Sequence, residues 1–86
     1  MGSFQSPDDL SRFVAETCEE LDRLGLSEAA AALAVVQATG YTTGSEWLGA
    51  LGTAVRRVQS HFTVPPQIQE RLDRIMTEVH RAWPSL

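Results

Sequence analysis

A chain of 86 residues, 43% of them hydrophobic, has room for one small core and no second one, and its composition is that of a folded chain. A net charge of −4 without a basic stripe argues against nucleic acid, which is bound mainly by neutralising phosphate. The lone cysteine, Cys18, excludes an internal disulfide and a cysteine-rich metal site, and no apolar run approaches the roughly 20 residues that span a bilayer.

Residues 1–5 read as a flexible N-terminus and lack the basic and apolar regions of a signal peptide, so a cytoplasmic protein is expected, with no membrane partner and no cofactor. All seven basic residues are arginine, asparagine is absent and alanine occurs ten times, which is the signature of GC-rich, bacterial coding. A core of this size leaves only a few kcal/mol of stability, which favours self-association, including a homodimer.

Four helices account for nearly the whole chain. In Ser6-Pro7-Asp8-Asp9, serine can cap, proline suits the first helical position and the two aspartates suit the positive end of the helix dipole. Leu10, Phe13, Val14, Thr17, Cys18, Leu21 and Leu24 then recur at helical spacing up to Gly25, predicting a helix over about 7–24. Glu16, Glu19 and Glu20 fall outside this stripe and form an acidic face. That face is either a solvated surface or a site for a basic partner, and Arg56, Arg57, Arg71, Arg74 and Arg81 are available to complement it within the chain.

A short turn leads into a helix over about 28–39, ended by Gly40. Residues 29–36, Ala-Ala-Ala-Ala-Leu-Ala-Val-Val, contain nothing polar. A helix that is apolar all round belongs inside something: either three neighbours enclose it, or its uncovered face is an interface with another chain.

A third helix over about 45–61, capped by Ser45 or Thr43, carries Trp47, Leu48, Leu51, Val55, Val58 and Phe62. Gly49 and Gly52 interrupt it, each at a cost of about 1 kcal/mol against alanine, so they mark a close helix contact, most simply with the alanine helix. Pro65-Pro66 opens a fourth over about 66–83, with Ile68, Leu72, Ile75, Met76, Val79 and Trp83 on one side, and Trp83-Pro84 closes it. The fold expected is all-α, a single antiparallel four-helix bundle made of two helical hairpins. Its expected core is Phe13, Leu21, Leu33, Val36, Trp47, Leu51, Val55, Leu72, Ile75 and Val79.

Chemical variety concentrates between Gly40 and Gly52, which holds four of six glycines, the single tyrosine and one of two tryptophans. Thr42, Thr43 and Ser45 offer hydroxyls beside a helix start, the elements of an anion site. The loop has no lysine or arginine, Glu46 repels anions, and ordinary capping explains Thr43 and Ser45 equally well. Tyr41, Thr43, Ser45, Glu46, Trp47 and His80 form the candidate interaction surface, His80 because an antiparallel hairpin returns it to the level of Glu46. The plainer alternative makes Trp47 a core residue and Tyr41 its cover.

Other motifs fail on spacing or setting. His61 and His80 are separated by most of a helix and cannot share a metal. Cys18 lies among acids that raise a thiol pKa, so no catalytic thiol is expected. Gly44-Ser45-Glu46 is no nucleophile elbow, the glycines do not form a Walker loop, and Ala50 and Leu51 stand where a tetratricopeptide start needs leucine and glycine. Gly49-Ala50-Leu51-Gly52 matches a KH loop in letters but lies within a helix, and Met1-Gly2 with Ser6 fits a myristoylation pattern that Ser6 already serves as a cap.

No catalytic or metal site is therefore expected. The leading expectation is a non-enzymatic protein-interaction module, either an adaptor or an antitoxin- or immunity-like inhibitor acting on a protein partner. The alternative is a small-ligand-binding protein or minimal enzyme with a pocket at the Tyr41–Trp47 loop.

Overall fold

A computed structural model describes residues 7–41 and 43–84. It contains helices α1 (Pro7–Arg23), α2 (Ser27–Ala38), α3 (Gly44–His61) and α4 (Pro66–Ala82). Consecutive helices pack on one another and α4 returns to α1, giving a small all-α four-helix bundle. Each helix boundary lies within one residue of the sequence-based expectation, because glycine, proline and hydroxyl side chains punctuate the chain so clearly. The Ser6 cap, the Thr42 hydroxyl and the Met1-Gly2 pattern fall outside the described residues.

The ends of the helices show how local chemistry sets the architecture. Gly25 adopts φ +81°, a left-handed conformation that strains any residue with a side chain, and its N–H bonds Asp22 O while that of Leu26 bonds Leu21 O. This left-handed closure satisfies the last carbonyls of α1 and reverses the chain directly into α2. At the other end of α2 the stop comes from Thr39 in extended backbone rather than from Gly40; the Thr39 N–H and hydroxyl both donate to Val35 O. Thr43, not Ser45, caps α3. Its hydroxyl accepts from the Glu46 N–H while the Glu46 carboxylate accepts from the Thr43 N–H, a reciprocal capping box. Pro65 precedes α4 and Pro66 occupies its first position, where a missing N–H costs nothing.

The core is aliphatic: Leu21, Leu33, Leu51, Val55, Leu72, Ile75 and Val79 are fully buried and Val36 nearly so, joined by Val14, Val58 and Ile68. Phe13 and Trp47 are exceptions to the expected list, being only half-buried against the edge of the core. The Phe13 ring lies under two guanidinium groups, with Arg71 Cζ 4.0 Å and Arg74 Cζ 4.8 Å from its centroid. It therefore covers the α1–α4 seam as a cation–π platform rather than filling the centre. Leu24 and Trp83, read as stripe residues, stand 43% and 39% exposed at helix ends.

Gly49 does mark a close approach, but its neighbour is not the alanine helix. A Cβ there would lie 3.5 Å from the indole of Trp83, which folds back from the end of α4 and donates its Nε1–H to Ser45 O at 2.7 Å. The third–fourth helix seam is thus closed by an aromatic ring lying over a glycine.

Candidate functional site

Three surfaces carry the residues singled out above. The first is an open depression of about 360 Å³ where the starts of α1 and α3 meet the end of α2, lined by Asp8, Ser11, Thr39, Tyr41, Thr43, Gly44 and Trp47. Tyr41 and Trp47 are both half-buried in its wall. Trp47 is held from behind, its Nε1–H donating to Gln37 Oε1 at 3.1 Å. The Gln37 amide in turn donates to Ser11 O at 2.9 Å and to Ser11 Oγ at 3.1 Å. One side-chain amide therefore ties α1, α2 and α3 together beneath the depression.

Neither Gln37 nor Ser11 stood out in the sequence. The available signal was that Gln37 is the first polar residue after an eight-residue apolar run and lies on the same side of α2 as the buried Leu33.

Of the six residues of the candidate interaction surface, Tyr41, Thr43 and Trp47 line this depression and Ser45, Glu46 and His80 do not. Glu46 spends its carboxylate on the capping box. Ser45 is exposed in the first turn of α3, and its carbonyl receives Trp83. His80 lines a separate groove between α3 and α4 with Arg56, Gln59, Ser60, Asp73 and Met76. Trp83, one turn later, is the residue that reaches the start of α3. Two helix N-termini converge on the depression, yet Asp8 lies in its wall and the Thr43 cap is internally satisfied. Its chemistry suits a neutral or cationic hydrogen-bonding group rather than an anion.

The second surface is the acidic face of α1. Glu16 and Glu19 are exposed, and Glu20 pairs with Arg23 along the helix. Of the arginines foreseen as its complement, Arg71 places its Nη2 3.5 Å from Glu16 Oε1, and Arg74 lines a groove with Glu20. The Arg71 guanidinium does more inside the seam. Its Nε donates to the buried Thr17 Oγ1 at 2.9 Å, its Nη2 donates to Phe13 O at 3.3 Å, and the Thr17 hydroxyl donates to Phe13 O at 2.8 Å. Cys18 is half-buried beside this seam; burial first, then Asp22 and Glu19, push its thiol above the ordinary value of 9.0. These conditions are the reverse of those that activate a nucleophile. His61 is exposed at the end of α3, and no group of three or more metal-capable side chains occurs among the described residues.

The third surface is the outer face of α2. Its buried residues are Ala29, Ala30, Leu33 and Val36, whereas Ala31, Ala34, Val35 and Ala38 face outward, with Val35 63% exposed. The apolar helix is thus covered on one side only. Beside this face a groove of about 290 Å³ separates α2 from α3, lined by Ala32, Val35, Val36, Ala50, Thr53, Ala54 and Arg57. Compared with protein-family models, curated proteins and solved structures, the chain matches none.

Proposed function

We propose that this protein is a protein-interaction module that works by docking rather than by chemistry, with the outer face of α2 as its contact surface. The observation that carries this reading is the exposed strip Ala31, Ala34, Val35 and Ala38 on a helix with no polar residue between Ser27-Glu28 and Gln37. Charge on the outer face is the rule for amphipathic helices, and helix propensity accounts for the three alanines here but not for the exposed, β-branched Val35. The apolar α2–α3 groove continues the strip and offers room for an inserted side chain.

The test is capture from a lysate of the source organism by tagged wild type, Val35→Glu, and a Glu16, Glu19 and Glu20 to Gln variant. One dominant partner that survives the triple change and disappears with Val35→Glu supports the reading. The opposite pattern moves the interface to α1 and overturns the assignment of α2.

A second reading, ligand binding, is favoured by the depression at Tyr41 and Trp47, where two aromatic rings, a carboxylate and four hydroxyls, one of them the Tyr41 phenol, converge. It predicts a ligand with a cationic or hydroxylated end, detectable as a change in Trp47 fluorescence that Asp8→Asn removes.

A further inference from the structure

Resting on the reading of α2 as a docking face, we infer that the occupant of that face is a second copy of this chain, packed antiparallel with α2 against α2 about a two-fold axis. The exposed apolar positions are 31, 34, 35 and 38, a set symmetric about the midpoint between 34 and 35. A two-fold axis through that midpoint places Ala31 opposite the partner's Ala38 and Ala34 opposite the partner's Val35, so the strip is complementary to itself. This is the isologous geometry of a two-fold dimer. Three of the four side chains are alanine, which lets two helices approach closely and leaves Val35 as the single projecting group beside the α2–α3 groove.

Charge selects the antiparallel orientation. The last turn of α2 has no basic residue, so its carbonyl end keeps the partial negative charge of a helix terminus. Arg57 lines the groove with Ala32, in the N-terminal half of α2. In an antiparallel pair each Arg57 lies toward the other copy's uncompensated carbonyl end. A parallel pair would bring the two arginines together and leave the two carbonyl ends side by side. A 12-residue helix is only about 18 Å long. That is too little to cover the roughly 800 Å² per partner of a standard interface, so the dimer is weak and concentration-dependent.

Sedimentation of the full chain across the micromolar to millimolar range, with wild type and Val35→Glu, reads the association directly. The wild-type mass rises toward twice the monomer, while Val35→Glu stays monomeric with an unchanged melting temperature. Orientation is read by disulfide trapping on a Cys18→Ser background. Positions 31 of two antiparallel copies are about 10 Å apart along the axis, beyond disulfide reach, whereas 31 and the partner's 38 are adjacent. Ala31→Cys mixed with Ala38→Cys therefore cross-links and neither does so alone. Cross-linking of Ala31→Cys alone overturns the antiparallel arrangement, and a wild type that stays monomeric throughout overturns the dimer. In the monomeric case the docking reading still stands if Val35→Glu loses a protein that the wild type captures, and it falls if both capture the same proteins.

Discussion

Trp47 donates its indole N–H to Gln37 Oε1 at 3.1 Å, and through that one amide the first turn of α3 is bound to the first turns of α1. Every polar atom of the Gln37 side chain is engaged, in a part-buried position where an unsatisfied partner cannot simply turn to water. The same residue therefore governs both the stability of the three-helix junction and the shape of the depression above it.

Gln37→Ala leaves the Trp47 indole N–H without its acceptor and removes the amide that donates to both Ser11 O and Ser11 Oγ. It is expected to destabilise the protein by about 1–3 kcal/mol in urea denaturation, with a red shift of tryptophan emission in the native state. Gln37→Glu retains an acceptor for Trp47 but sets a carboxylate against Ser11 O, so it recovers little of the loss. In a double-mutant cycle with Trp47→Phe the two changes are strongly non-additive, because they remove one shared bond.

Gly49→Ala is expected to stabilise by about 0.5–1 kcal/mol. The added methyl meets Trp83 at 3.5 Å, an ordinary contact distance, while the unfolded chain loses freedom. A larger residue must displace the indole and break its bond to Ser45 O, so Gly49→Leu lowers the melting temperature where Gly49→Ala raises it. Thermal unfolding of the two variants checks the sign in each case.

Arg71 makes two kinds of contact that separate cleanly by mutation. Its exposed, 3.5 Å approach to Glu16 is worth little, so Glu16→Gln changes stability by less than about 0.5 kcal/mol. Its bonds to Thr17 and Phe13 O and its position over the Phe13 ring need a flat, forked cation. Arg71→Lys is expected to lose most of what Arg71→Ala loses, about 1.5–3 kcal/mol by chemical denaturation. Full rescue by lysine would show that charge alone matters there.

The raised pKa of Cys18 has a definite sign in pH. The folded state holds the thiol proton more tightly than the unfolded chain, so its contribution is fully present below the unfolded pKa. Above it the unfolded chain sheds the proton first, and stability falls as pH rises through the folded value. Wild type is expected to lose more stability between neutral and alkaline pH than Cys18→Ala. Its native thiol should react with a disulfide reagent more slowly than a free thiol at the same pH.

Much of this architecture was legible in the chain because punctuation and periodicity act locally. Gly25, Thr43 and Pro65-Pro66 each set a helix end through the backbone of a few neighbouring residues, and the aliphatic stripes follow a period that any neighbour must respect. The places of Phe13 and Trp47 were not legible in the same way. Phe13 reads as core by type and spacing, yet what meets it is decided by Arg71 and Arg74, 58 or more positions along the chain. The sequence likewise marked Gly49 as a place of close approach without saying that Trp83 would be the group to approach it.

The apolar second helix divides the two kinds of information most plainly. Its composition alone determined that one side must be buried and that the other needs either a neighbour or a partner. Only the tertiary arrangement decided between them. α1 and α3 cover one side of α2, α4 packs on α3 and α1, and the side bearing Val35 is left uncovered. A helix carries its own hydrophobicity in its residues, but the neighbour that will cover each face depends on how the other helices cross. That in turn rests on contacts between residues distant in sequence, such as Gln37 with Ser11 and Arg71 with Thr17, which no local pattern encodes.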